Sequence, residues 1–189
     1  GYSEIITYSF VSPTVFDQIR LPADSVLRNA MKIQNPLGED TSIMRTVALP
    51  SMLEILGRNN AYHNKAAKLY EVAKVYLPQA GEKLPQEPKM LMLGTYGSGE
   101  TFFTLKGEIE AIFAGLRMKK AAYSAEKNNP SYHPGRCARI TVEGVDIGVM
   151  GQVHPLVAAN YGMDSEVFCA ELDLTKMMGM LLPEPTYVP

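Results

Sequence analysis

The feature that most restricts how this chain can fold is a pair of β-forming runs, residues 138–142 and 145–153, separated only by Glu143-Gly144. A two-residue connection of that kind closes a β-hairpin, so the two runs must pair antiparallel. Further strands are predicted over residues 4–11, 30–34, 69–77, 90–96 and 167–174, where β-branched and aromatic residues gather. Ser12-Pro13 begins a short helix through Val15, Phe16 and Ile19 that should stop before Pro22. A second helix starts near Pro50, with Leu49, Met52, Leu53 and Leu56 at helical spacing. The third covers 103–116, where Phe102, Leu105, Ile109, Ile112, Phe113 and Leu116 form an apolar stripe and Lys106, Glu108 and Glu110 lie off it. His154-Pro155 opens a fourth that ends at Gly162, and 175–182 is a fifth. Asn35-Pro36-Leu37-Gly38-Glu39-Asp40, residues 78–88 and Asn128-Asn129-Pro130 are loops. Strands and helices do not alternate regularly. The expected fold class is therefore α+β, an antiparallel sheet flanked by helices.

The length of 189 residues suits one domain, expected to span 1–182. Pro183-Glu184-Pro185 reads as the start of a linker, 183–189, to a further C-terminal domain. The opening Gly1-Tyr2-Ser3-Glu4 has no signal-peptide character and suggests a piece cut from a longer chain. With 46% hydrophobic and 20% charged residues the chain has the composition of a folded globular protein. A net charge of -2 argues against a large phosphate-binding face. No apolar run approaches the roughly 18 residues that cross a bilayer. Cys137 and Cys169 form neither a metal spacing nor a disulfide framework and read as buried free thiols.

Residue patterns that carry chemistry are sparse. His63, His133 and His154 have no i, i+4 spacing, and the rings of those before proline are expected to bond backbone at turns. Gly94-Thr95-Tyr96-Gly97-Ser98-Gly99 lacks the Lys-Ser or Lys-Thr of a phosphate loop and reads as a flexible turn. Glu171 and Asp173 alternate on one strand and share a face, where they could hold Mg²⁺ or simply be solvated. Lys119-Lys120 with Tyr123 is a weak basic-aromatic cluster, more consistent with plain surface than with an RNA contact.

A succession of phrases nonetheless resembles the carboxyl-terminal half of the bacterial phenylalanyl-tRNA synthetase β chain. They are Ile6-Thr7-Tyr8-Ser9-Phe10-Val11, Asn35-Pro36-Leu37, Ser42-Ile43-Met44-Arg45-Thr46 and Leu49-Pro50-Ser51-Met52-Leu53. Leu69-Tyr70-Glu71-Val72-Ala73-Lys74-Val75-Tyr76, Phe103-Thr104-Leu105-Lys106-Gly107 and His133-Pro134-Gly135-Arg136 follow in order. Gly148-Val149-Met150-Gly151-Gln152-Val153-His154-Pro155 and Glu171-Leu172-Asp173-Leu174 complete the series. The resemblance implies a class II aminoacyl-tRNA synthetase-like core. It also implies a cytoplasmic enzyme of two α and two β chains that joins phenylalanine to tRNA with ATP and Mg²⁺.

The departures from the class II pattern imply a role without catalysis. Such enzymes clamp ATP with two arginines, whose planar forks bind phosphate bidentately. The arginine expected just after Tyr76 is replaced by Leu77-Pro78, and Ala170-Glu171-Leu172-Asp173-Leu174-Thr175-Lys176 has neither the glycines nor the arginine of the second clamp. The resemblance thus implies no catalytic, cofactor or metal residue in this chain, and a domain that supports assembly with the catalytic α subunit. Its first motif, residues 13–20 and 30–36, is the expected contact. Pro36, Arg45, Lys106, Arg136 and His154 are the expected fold or interface residues. A stand-alone tRNA-binding module and an autonomous amino-acid-activating enzyme are the alternatives.

Overall fold

A computed structural model describes residues 1–183. Its frame is a seven-stranded sheet in the order β1-β4-β5-β9-β8-β7-β6. These strands are β1 (Ser3–Glu4), β4 (Ala67–Lys74), β5 (Lys89–Tyr96), β6 (Ala121–Ala125), β7 (Tyr132–Val142), β8 (Val145–Val153) and β9 (Val167–Asp173). Every neighbouring pair is antiparallel except β1 with β4. A separate two-stranded ribbon joins β2 (Phe10–Val11) to β3 (Ile43–Met44). The hairpin at Glu143-Gly144 closes through two left-handed residues, φ 50° and 80°, with Val142 opposite Val145. Both signs are those of a type I′ turn, whose twist matches the strands.

Alternation along the strands sends side chains to two faces, and each face has its own core. Met92 and Cys169 point toward α2 (Leu49–Ala61) and α4 (Pro155–Asn160), where Met52, Leu53, Leu56 and Val157 are buried. Leu91, Leu93, Phe168, Ala170 and Leu172 point the other way, toward α3 (Phe102–Gly115) and α5 (Leu174–Met178). Leu105, Ile109 and Phe113 of the α3 stripe are buried there, while Leu116 is 37% exposed at the helix end. The helix starts carry their own capping signals. Thr101 and Thr104 form a reciprocal capping box on α3, His154 caps α4 with Pro155 behind it, and Asp173 caps α5.

Several expectations change in detail. The run 4–11 is not one strand. β1 pairs with the edge of the sheet, residues 5–9 cross as an extended strap, and β2 leaves to pair with β3. The strap is diverted because the Thr7 N–H donates to the Glu71 carboxylate (3.1 Å) rather than to a strand. The strand expected over 30–34 reduces to one bridge, Lys32 with Ile43, because the neighbouring ribbon is only two residues long. The helix α1 (Val15–Gln18) follows Thr14, whose side chain makes no capping hydrogen bond, and the chain turns away at Arg20, whose φ is 60°. The strand expected over 69–77 lies at 67–74, with Leu77 in a separate bridge to Gln86. The missed edge strand β6 is Ala-Ala-Tyr-Ser-Ala, too alanine-rich to signal a strand locally, and is held by β7. β7 begins at Tyr132 instead of 138 because its pairing with β8 breaks between Tyr132 and Cys137 and then resumes. The residues expected as a linker beyond 183 lie outside the described residues.

Candidate functional site

On the face that carries α1 and α2, a cavity of about 250 Å³ opens beside the middle of the sheet. Ile19, Leu27, Leu49 and Met90 make its apolar wall. Five charged side chains from β7, β8, β9 and α5 close the other side: Arg139, Asp146, Glu171, Asp173 and Lys176. Most of these charges are matched to one another. Arg139 donates to Glu126 (2.6 Å) and Asp146 (3.0 Å). Its hydrogen bond to Glu126, aided by the Asn128 N–H, holds the Glu126 carboxyl below the usual range. Asp146 also accepts the Gly148 N–H (3.0 Å). Asp173 accepts the Lys176 N–H (2.9 Å) as the α5 cap and lies 3.5 Å from the Lys176 ammonium.

Glu171 differs from the other acids. The Tyr132 hydroxyl donates to its Oε1 (2.9 Å), and no cation bonds to it. Burial pushes its carboxyl above the usual range, against the opposing pull of the Tyr132 hydrogen bond and Arg139. Glu171 and Asp173 are both partly exposed on this strand face. Gly148 comes so close across β8 and β9 that an added Cβ would lie 2.1 Å from the Glu171 carbonyl oxygen.

A second concave surface, about 760 Å³, lies outside the strap. Alternation along residues 5–10 turns Ile5, Thr7 and Ser9 inward and leaves Ile6 91%, Tyr8 83% and Phe10 46% exposed. Val15 of α1 and Pro50 and Ile55 of α2 complete the apolar part, and Glu54 and Arg58 edge it. Beneath the strap, Arg45 is buried with Glu71. Its guanidinium reaches the Lys74 carbonyl (2.8 Å), the Thr7 hydroxyl (2.7 Å) and Glu71 (3.2 Å).

The other expected residues do not converge on either surface. Pro36 is exposed in its loop, beside Leu37. Lys106 pairs with Glu110 on α3 and stands 4.4 Å over the Tyr123 ring, on the opposite side of the sheet. Arg136 donates to Gln152 (2.8 Å) and Glu166 (2.5 Å) at the surface. The His154 ring accepts the Leu156 N–H (3.1 Å), and the His133 ring accepts the Gly135 N–H (3.1 Å). Of the two regions where the resemblance led nucleotide clamps to be sought, Glu171 and Asp173 line the cavity while Leu77-Pro78 do not. Sequence reasoning missed Tyr132, Arg139 and Asp146. A charged Arg139 beside Ile140, inside the predicted strand 138–142, was the available signal. Among the described residues no group of three or more His, Cys, Asp or Glu is placed to hold a metal ion.

Comparison with known proteins gives these surfaces a context. Residues 1–174 match the family described as the phenylalanyl tRNA synthetase beta chain CLM domain. The phenylalanine–tRNA ligase beta subunit of Clostridium acetobutylicum is 45% identical over 94% of this chain and 22% of its own length. That of Moorella thermoacetica is 39% identical over 100% of this chain and 25% of its own length. The chain thus spans about a quarter of these relatives. In fold, it is similar to the crystal structure of pyrrolysyl-tRNA synthetase from Desulfitobacterium hafniense, with a TM-score of 0.74 at 11% identity over 94% of this chain and 62% of that one. At that identity the likeness speaks to the class II core-like fold alone.

Proposed function

Because the chain belongs to the phenylalanyl-tRNA synthetase β-chain family, we propose that it is the non-catalytic core-like domain of a phenylalanine–tRNA ligase β subunit and docks on the catalytic α subunit. The observation that carries this reading is the strap. Ile6, Tyr8 and Phe10 project together over a 760 Å³ groove, while Thr7 between them is fastened inward by Glu71 and Arg45, and the Ser9 carbonyl accepts the Arg45 N–H. Aromatic and aliphatic side chains so displayed on a rigid base suit the centre of a protein interface. The groove is lined by Thr14, Val15 and Gln18 of the first-motif residues 13–20 together with the strap and α2, and by no residue of 30–36.

Absence of catalysis is supported by the cavity. Glu171 occupies its wall, and Arg139, the arginine within it, is committed to Glu126 and Asp146. Neither arrangement favours a triphosphate. ATP and Mg²⁺ serve the whole enzyme, of two α and two β chains in the cytoplasm, and tRNA is bound through that assembly. Among the described residues no helix is long and apolar enough to cross a membrane. In this reading Arg45, Arg136 and His154 act in the fold, Pro36 and Lys106 remain available at the surface, and 1–182 is one domain.

Co-purification with the α subunit tests the proposal. The chain is expected to be retained, and the triple variant Ile6→Ser, Tyr8→Ser, Phe10→Ser to be lost while keeping its circular dichroism. Retention of a folded triple variant rejects the strap as the contact. Phenylalanine-dependent ATP–pyrophosphate exchange by the isolated chain would favour an autonomous enzyme instead, and salt-sensitive tRNA binding a tRNA module.

A further inference from the structure

The last strand of the sheet has no neighbour on its outer side. β6 pairs with β7 alone, from Ala121 opposite Val142 to Ala125 opposite Ala138. The Glu126 N–H donates to the Cys137 carbonyl (3.0 Å) in register with that ladder, so Ala122 and Ser124 spend their backbone groups on β7. The N–H and C=O groups of Ala121, Tyr123 and Ala125 therefore point away from the sheet, and among the described residues none of them meets a partner. Between Ala121 and Ala125 there is no proline, bulge or charge, the usual means of blocking an exposed edge. Lys120 and Lys127 flank the strand, exposed and in no ion pair among the described residues, while Lys119 is held by Glu143 and Glu126 by Arg139. We propose that the β6 edge docks an extended segment of another polypeptide, a β-forming stretch with carboxylates at both ends, which adds a further strand to the sheet.

Charge decides the occupant. A second copy of this chain, added about a two-fold axis with Tyr123 opposite Tyr123, would match the outward backbone groups of both strands. It would also set Lys127 of each copy opposite Lys119 of the other, and like charges directly opposite destabilise a strand pair. An acidic-ended segment meets Lys120 and Lys127 instead, at the two ends of the same ladder. The side chains of β6 leave room for it. Ala122 and Ser124 are small and exposed on one face. On the other, the half-buried Tyr123 ring, with the Lys106 ammonium 4.4 Å over it, offers a surface for an apolar neighbour. Main-chain hydrogen bonds supply the affinity of such strand addition, and the flanking charges supply the choice of partner. β6 and β1 are the opposite ends of the sheet order, so this edge is distinct from the strap and its groove.

The probe is a peptide of alternating threonine and valine with two glutamates at each end, titrated against the purified chain at low salt and followed by amide NMR. The same peptide with lysines in place of the glutamates is the control. The glutamate peptide is expected to bind at least about tenfold more tightly than the lysine peptide. Its binding should shift the amides of residues 120–127 and slow hydrogen exchange at the Tyr123 and Ala125 N–H groups. Ala125→Pro removes an outward N–H without touching the ladder to β7, a place where an edge strand tolerates proline. It is expected to keep its circular dichroism and lose the peptide. A folded wild type that ignores the glutamate peptide overturns the proposal. So do equal affinity for the two peptides, binding that leaves the Tyr123 and Ala125 amides unprotected, and unchanged binding by a folded Ala125→Pro. Dimerisation of the wild type through these amides, in place of peptide binding, also overturns it. Should Ala125→Pro fail to fold, hydrogen exchange on the wild type still decides. Capture by the α subunit is a separate readout, so this inference can fail while the assembly role stands.

Discussion

Replacing Arg45 by Met tests most directly what holds the strap in place. The Arg45 and Glu71 side chains are 3% and 4% exposed, so water cannot substitute for either partner. Arg45→Met removes three hydrogen bonds at once, to the Lys74 carbonyl, the Thr7 hydroxyl and Glu71. It leaves the Glu71 carboxylate buried with only the Thr7 N–H and hydroxyl as donors. Breaking a buried pair from one side costs about 3–5 kcal/mol. For a chain of this size each kcal/mol shifts Tm by about 2–4 °C, so the expected fall is roughly 6–20 °C. Urea unfolding followed by circular dichroism should show a lower midpoint at an unchanged slope. The double variant Arg45→Met, Glu71→Leu should recover much of the loss, because no charge is then left alone. A loss below about 1 kcal/mol in Arg45→Met, or a double variant as unstable as the sum of the singles, would refute the reasoning.

Other outcomes follow from the same geometry. Arg136→Ala should change stability little, since Arg136 and Glu166 are 52% and 56% exposed and such pairs contribute about 0–1 kcal/mol. Gly148→Ala should cost about 3 kcal/mol or more, because φ is 153° and the new Cβ would meet the Glu171 carbonyl at 2.1 Å. The raised pKa of Glu171 means that the folded state binds the last proton more tightly than the unfolded one. Stability at this site is therefore full below the ordinary carboxylate value and falls as pH rises through the Glu171 pKa. Denaturation series across that window should show the fall in the wild type and not in Glu171→Gln. Burial pushes the Cys137 thiol up to about 12 and raises that of Cys169 as well. Neither should react with iodoacetamide at pH 8 until the chain is unfolded, and both should react then.

Much of the fold is legible locally, and the reason differs by element. The α2 and α3 stripes and their starts are written at helical spacing, and both helices form within a residue or so of expectation. Glu143-Gly144 marks the hairpin because few residues tolerate two left-handed positions in succession. β6 is not legible, since alanine and serine form a strand only where a neighbour such as β7 offers its edge. Residues 4–11 alternate as a strand should. Their division into β1, strap and β2 depends on Glu71, which is 64 positions from Thr7. At the cavity, Glu171 and Asp173 stood out in sequence, yet their fates diverge. Asp173 finds a helix start and a lysine, and Glu171 finds a phenol.

The sequence by itself determined the class of fold and the family, because these depend on residue types at positions fixed by local pattern and phrase order. Only the tertiary structure decided which charges remain unmatched and which apolar side chains remain uncovered. Those are sums over partners brought from distant parts of the chain. Arg139 is satisfied by Glu126 and Asp146 from neighbouring strands and loops. Glu171 is held by a hydroxyl and not by a cation because Tyr132 crosses to it from β7. Ile6, Tyr8 and Phe10 are exposed because the groove beneath them is left uncovered by any other segment of the described chain.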